Sequence, residues 1–274
     1  MSENKEHILS LSYGKDSLAC LGAIEELGWQ LDRIVHAEVW ATDTVPGDPP
    51  PMVEFKAKAD EIIKERWGIE VEHFRADITY EQQFYTTFKK RNKRATVRTP
   101  KDKIGKIYGW PFQRGAWCNS RLKMAAINKA KAATGNQSIQ YIGIAIDEPN
   151  RFHNLTETTL SPLVALEWDE AYCRKWCEQN DLLSPIYTTA TRGGCWFCHN
   201  QGVDQLRLLR RNYPDYWQLM LKWDKDSPWT FRPDGHTVHD FEKRFKLEDE
   251  GLILPEERFR WDMLESGCVN YRLF

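Results

Sequence analysis

The amino-acid sequence predicts an α/β fold, a parallel sheet wrapped by helices, with a small helical module at its carboxyl-terminal end. Strand-like apolar runs at Ile8 to Leu11, Ile34 to Trp40, Ile69 to Phe74 and Ile139 to Ile144 alternate with helical patterns, an order that yields parallel strands joined by helices. A hydroxyl-rich turn from Ser12 to Ser17 joins the first strand to the first helix. After Tyr187 the texture changes to a Gly-rich, Cys-containing turn and then to helical segments dense in Arg and aromatic residues. A chain of 274 residues holds one large core with a small appended module, divided on this texture as 1–188 and 189–274.

Lys and Arg number 38 against 40 Asp and Glu, a formal net charge of −2. Such a balance excludes a uniformly basic nucleic-acid-binding domain and leaves room for a local basic patch. No apolar stretch approaches the roughly 20 residues that cross a bilayer, and the opening Met1-Ser2-Glu3-Asn4-Lys5-Glu6 lacks the apolar region of a signal peptide. A soluble, cytoplasmic protein with no membrane partner is expected. Seven cysteines, an odd number that includes two close pairs, favour thiol, redox or metal chemistry over a disulfide framework. The twelve tryptophans are expected mostly in the core and on packing platforms.

Taken in order, the first strand runs into Ser12-Tyr13-Gly14-Lys15-Asp16-Ser17, and the helical pattern Leu18, Leu21, Ile24, Leu27 follows at once. A tight turn opening a helix aims free backbone N–H groups and the positive end of the helix dipole at one point, which suits an anion. Gly14 allows close approach, and the Ser12 and Ser17 hydroxyls add donors. Neither the GxxxxGKS/T nor the GxGxxG spacing is present. The second strand ends in Ala41-Thr42-Asp43-Thr44 before a Pro-rich turn and a helix carrying Val53, Ile62 and Ile63. Ligands bind at strand carboxyl ends in such sheets, so Asp43 is expected beside the loop.

Residues 89–106 carry nine Lys and Arg against the single acid Asp102 and read as a mobile surface loop. A helix with the stripe Leu122, Ala125, Ala126, Ala130, Ala133 follows Cys118, with Gly135 placed to cap it. Arg114, Arg121 and Lys123 flank that helix start and are candidates to neutralise phosphates of a polyanionic or nucleic-acid substrate. Another helix is expected from about Trp168 to Asn180. Beyond it, Arg207, Arg210 and Arg211 beside Tyr213, Tyr216 and Trp217 fit either a nucleic-acid clamp or an ordinary helix surface. Cys195-Trp196-Phe197-Cys198 follows Gly193-Gly194. A lone CxxC serves zinc knuckles, dithiol pairs and iron–sulfur clusters alike, and Cys118 is the thiol whose helix-start position favours thiolate.

The Ser12–Ser17 turn resembles the SGGxDS loop of the ATP pyrophosphatase (PP-loop) superfamily, and its Lys-Asp-Ser ending looks like the phosphoadenosine phosphosulfate (PAPS) reductase branch. The resemblance implies a Rossmann-like sheet of the adenine nucleotide alpha hydrolase type. It implies that Ser12, Tyr13, Gly14, Lys15, Asp16 and Ser17 bind an adenine nucleotide (ATP, adenylylsulfate or PAPS), with Lys15 and Asp16 catalytic and Mg²⁺ accompanying ATP. The segment Gly143 to Arg151 is similar to the family's Gly-x-Arg-x-x-Glu stretch, which adds Gly143 and Glu148 to the nucleotide site, although Ala145 replaces the arginine. Cys118 and Cys195-x-x-Cys198 repeat the order of the family's cluster cysteines, with Trp117 where the first paired cysteine would stand. The implied centre is a 4Fe-4S cluster on Cys118, Cys195 and Cys198, with zinc the alternative. Cys177, Cys173, Cys268 and His199 are candidates for a fourth ligand, and an open iron is a further option. Cys268, near the end of the chain, is also the candidate nucleophile, without the family's tail motif around it.

Three functions remain open from sequence. They are ATP-dependent adenylation with sulfur transfer, reduction of a sulfonucleotide to sulfite, and a non-catalytic zinc-containing nucleotide- or nucleic-acid-binding role. A homodimer is compatible with each.

Overall fold

The computed structural model of the chain describes residues 5–90, 101–111, 116–133, 138–188, 193–257 and 259–261. Its elements begin with β1 (Glu6–Leu11), α1 (Lys15–Leu27), β2 (Arg33–Glu38), α2 (Pro50–Trp67), β3 (Val71–Arg75) and α3 (Tyr80–Tyr85). Then come α4 (Met124–Ala132), β4 (Ser138–Tyr141), β5 (Thr159–Leu160), α5 (Pro162–Ala165), α6 (Glu170–Gln179), α7 (Val203–Asn212), α8 (Pro214–Asp226) and α9 (Val238–Asp249).

The five strands form one parallel sheet in the order β3-β2-β1-β4-β5, with Leu9 of β1 opposite Ile34 of β2 and Tyr141 of β4. This is the α/β, Rossmann-like architecture expected. Strand order reverses on either side of β1, so a crevice opens at its carboxyl end, where the Ser12–Ser17 turn lies. β2, β3 and β4 are shorter than their apolar runs suggest, whereas β1 starts two residues ahead of its run. β2 stops at Glu38 because Trp40 leaves the ladder to form an antiparallel bridge with Pro46. β5 has two residues, too few for a period to register.

Helix α1 is buried from Ser17 to Ile24, and its Cys20 shares the core with Cys173 and Cys177 of α6. The helix expected after Cys118 begins as a π-helical turn, Asn119–Lys123, before α4. Leu122, Ala126 and Ala130 of its stripe are buried, while the capping Gly135 lies outside the described residues. Among the described residues no helix is long and apolar enough to cross a membrane.

The chain divides into two compact units, and the division differs from a single cut after residue 188. One unit comprises Met1–Tyr80 with Cys118–Cys195, the other Glu81–Trp117 with Trp196–Phe274. Aromatic packing is the physical reason. In the second unit Trp110 donates to Asp224 at 2.9 Å and packs edge-on against Phe84 and Phe231, and Trp223 donates to Glu81 at 3.0 Å. The Glu81–Trp117 segment thus completes a core that α8 and the following turn begin.

Arg207 and Arg210 turn inward to acids of α9: Arg207 pairs with Glu248 at 2.5 Å, and Arg210 with Glu242 at 2.8 Å and Asp249 at 2.6 Å. These pairs stitch α7 to α9, which favours the helix-surface reading over the clamp. Within the basic stretch, residues 91–100 lie outside the described residues. The described part is pinned, with Thr87 bridged to Ile107 and Lys103 and Lys106 each 5.3 Å from the Trp229 ring.

Candidate functional site

The turn after β1 is held by its own hydroxyls. Ser17 Oγ donates to the Gly14 carbonyl at 3.0 Å and accepts from the Ser12 backbone N–H at 3.1 Å, and Ser12 Oγ lies 2.9 Å from it. Gly14 is the residue before the helix, and Leu18 N–H closes the first helical turn onto its carbonyl at 3.0 Å. The Lys15 backbone N–H donates to the Tyr187 hydroxyl at 3.1 Å.

Tyr13 occupies the left-handed region at φ +57°, a conformation that costs a non-glycine residue about 1–2 kcal/mol. Its side chain offsets that cost. The ring is buried beneath the turn, edge-on to His36 with centroids 4.7 Å apart, and its hydroxyl donates to Asp60. Asp60 also meets His73 Nε2 at 3.0 Å, and His73 Nδ1 meets Glu38 at 2.7 Å. The bonds to Asp60 and Glu38 raise His73 to about 9, and the bond from His73 holds Glu38 down at about 2. A protonated imidazole between two carboxylates therefore underpins the turn at neutral pH.

A cavity of about 360 Å³ opens above this layer, a size suited to a small-molecule ligand. Ser12, Tyr13 and Gly14 form one wall, Asp48, Met52 and Lys56 another, Lys123 and Ala126 a third, and Tyr187 and Cys195 complete the lining. Met52, Lys56 and Asp60 recur every fourth residue along one face of α2. His36 Nδ1 lies 2.7 Å from the Leu11 carbonyl and donates to it, which leaves Nε2 to accept from Lys56 Nζ at 2.9 Å; Lys56 also donates to Asp48 at 2.5 Å. Burial, reinforced by the Lys56 charge, pushes His36 down to about 3. The cavity thus carries one buried ammonium balanced by Asp48 and a neutral histidine.

Lys15 places its ammonium on two acids, Asp16 and Glu170, each at 2.7 Å. Burial pulls its affinity for the proton down, and those two bonds more than restore it. Asp16 is raised by burial, against the Lys15 bond, with the Glu170 and Glu148 charges adding to the rise. Glu148 accepts from the Ala145 N–H at 3.3 Å and pairs with Arg151 at 2.7 Å. Gly143 brings the end of β4 against the start of α1: a Cβ there would lie 2.7 Å from the Ser17 backbone nitrogen. Gly143→Ala is expected to lower stability by about 1–3 kcal/mol, because backbone must move to admit the methyl group. Urea unfolding of the variant beside the parent chain reads this directly.

Asp43 does not line the cavity that holds the loop. It borders a separate cavity of about 190 Å³ with Arg75 and Asp77, and Asp48, five residues later, faces the loop instead. Lys123 lines the loop's cavity, whereas Arg121 is exposed beside it on the π-helical turn. Arg114 and Cys268 lie outside the described residues. Cys195 reaches the cavity because Gly47, packed on the Val39 carbonyl, leaves room for its sulfur, which lies 3.2 Å from where a Gly47 Cβ would be. Cys118 is half-buried at the start of the π-helical turn in the first unit, and Cys198 belongs to the second.

Cys177 is buried in the core, donates to the Lys15 carbonyl at 3.2 Å, and burial raises its thiol above the usual range. Those are surroundings of a packing thiol. Among the described residues no three Cys, His, Asp or Glu side chains gather to hold a metal ion.

Sequence reasoning missed His36, Asp48, Lys56, Asp60 and Tyr187. A histidine inside the apolar run Ile34-Val35-His36-Ala37 and the fourfold spacing of Met52, Lys56 and Asp60 were the available signals. Tyr187, 172 residues from its partner, offered none.

No family model matches the chain, and no curated protein matches its sequence. Among solved structures the chain is similar to the U34-tRNA thiolase NcsA from Methanococcus maripaludis with its 4Fe-4S cluster, at 13% identity and a TM-score of 0.39, over 93% of this chain and 84% of that one. A likeness of that size carries no argument about what this chain does.

Proposed function

We propose that this protein is a PP-loop enzyme that binds ATP in the cavity at the carboxyl ends of β1 and β2 and adenylates a substrate oxygen for displacement by sulfur. The observation that carries this reading is that one cavity is lined by both the Ser12–Gly14 turn and the Cys195 thiol. The polyphosphate lies on the turn and the α1 N-terminus, with Lys123, a cavity-lining cation, and Lys56 as its nearest charges. The substrate oxygen attacks the α-phosphorus, the bond to the bridging oxygen breaks, and pyrophosphate leaves with its Mg²⁺. A hydrosulfide-level nucleophile then displaces AMP. Lys15 and Asp16 act on the helix start: their pair with Glu170 holds it in place, and Lys15 joins the phosphates only by exchanging an acid partner for them.

The test is anaerobic purification with iron, sulfide and zinc counts, followed by incubation with ATP, adenylylsulfate or PAPS. Isothermal titration with ATP should show one site per chain, and pyrophosphate should appear once the acceptor is supplied. Sulfite released from a sulfonucleotide, without pyrophosphate from ATP, would replace adenylation by sulfonucleotide reduction. No nucleotide binding at all, with stoichiometric zinc, would leave the non-catalytic reading.

A further inference from the structure

The geometry points to Tyr187 as a nucleotide-contacting residue, whose hydroxyl takes the first N–H of α1 and passes a hydrogen bond on to a phosphate oxygen in the cavity. The inference rests on the nucleotide-binding reading above and adds a residue that lies far from the loop in sequence.

Three observations support it. The Tyr187 oxygen accepts from Lys15 N–H at 3.1 Å, and that N–H is one of the helix-start donors an anion would otherwise engage. The same oxygen stands 3.4 Å from the position of a Gly14 Cβ, so it lies over the open face of the turn, and Tyr187 lines the cavity. The only hydrogen bonds of Tyr187 among the described residues are this one and that of its own backbone N–H to the Ser184 carbonyl at 3.2 Å. The phenolic proton therefore has no acceptor there. A phenol that accepts from a helix N–H becomes a better donor through hydrogen-bond cooperativity. Burial raises Tyr187 above its ordinary value, so the proton stays in place at neutral pH.

The opposite reading of the same contact is a plug, in which the phenol blocks the helix N–H and must leave before phosphate binds. The two differ in sign. If the hydroxyl relays, Tyr187→Phe removes a bond to a charged oxygen, and both ATP and inorganic pyrophosphate should bind about 10- to 100-fold more weakly. If it plugs, the variant binds both ligands more tightly.

The experiment titrates the full chain and Tyr187→Phe with ATP and with inorganic pyrophosphate by calorimetry. It also reads the ligand-induced rise in melting temperature of each protein against its own ligand-free midpoint, so that a less stable variant still reports. Weaker binding of both ligands by the variant is expected. Unchanged or tighter binding would overturn the relay while leaving the nucleotide site intact. Failure of the parent chain to bind either ligand would overturn the nucleotide reading and the relay with it.

Discussion

Tyr13→Ala should unfold at markedly lower urea than the parent chain, with a loss of about 3–5 kcal/mol, the usual cost of deleting a buried aromatic ring. The ring fills the space beneath the turn and its hydroxyl is one of two hydrogen-bond partners of Asp60. Tyr13→Phe separates these contributions. It keeps the ring against His36 and leaves Asp60 with His73, so about 1–2 kcal/mol should be lost. Tyr13→Gly removes the ring but relieves the left-handed backbone, and it should be less damaging than Tyr13→Ala. If the alanine variant were as stable as the parent, the turn would owe nothing to the layer beneath it. On the nucleotide-binding reading proposed above, affinity for ATP should fall in the same order, because Tyr13 anchors the turn that lines the cavity.

A second large effect concerns pH. His36 and His73 lie with ring centroids 5.4 Å apart, yet their surroundings push them in opposite directions from the ordinary 6.5. As pH falls from 6.5 towards 3, the unfolded chain takes up a proton on His36 that the folded chain refuses, and stability is lost. His73 behaves in the reverse sense. Its contribution is fully present below 6.5 and is lost as pH rises through about 9, where the folded chain gives up a proton that the unfolded chain has already released. The contribution of Glu38 is present above its ordinary value of 4.5 and lost as pH falls to about 2.

These groups together put their greatest combined contribution near pH 6.5. Each histidine limb should amount to on the order of 1–2 kcal/mol once solvent screening is allowed for. Urea midpoints measured from pH 4 to 10 on the parent, His36→Gln and His73→Gln test the assignment. The first variant should flatten the acid limb and the second the alkaline limb. A parent profile that is flat between 6.5 and 9 would show that His73 is not held between Asp60 and Glu38.

What was legible in the sequence was local. The Ser12–Ser17 turn could be read because strand, turn and helix follow one another directly between Glu6 and Leu27, and the four longer strands announce themselves by short segments rich in apolar and β-branched residues. Asp43 was misplaced because a turn after a strand tells which edge a residue occupies but not which way the chain then bends. The Trp40–Pro46 bridge carries the chain round, so that Asp48 arrives at the loop in its stead. Lys56 of α2 and His36 of β2 meet at 2.9 Å only in the folded chain, a packing fact with no signature in either segment alone. Cys177 was one of several candidates for a fourth ligand, and it lies in the core between α1 and α6. Residues 89–106 looked like a charged surface loop because nine Lys and Arg stand there against one acid, while Phe84 and Trp110 on either side are what tie that stretch to its unit.

The split origin of the second unit has a consequence for how the protein is made. Trp110 and Phe84 leave the ribosome well before α8, and roughly eighty residues, on the order of ten seconds of synthesis, separate the two halves of their shared core. Throughout that interval the aromatic residues Phe84 and Trp110 wait without their partners in a segment otherwise rich in Lys and Arg, the kind of nascent stretch that chaperones hold. A message truncated ahead of Trp196 would release it in that state, so fragments ending there should aggregate even though all five strands of the sheet are already made.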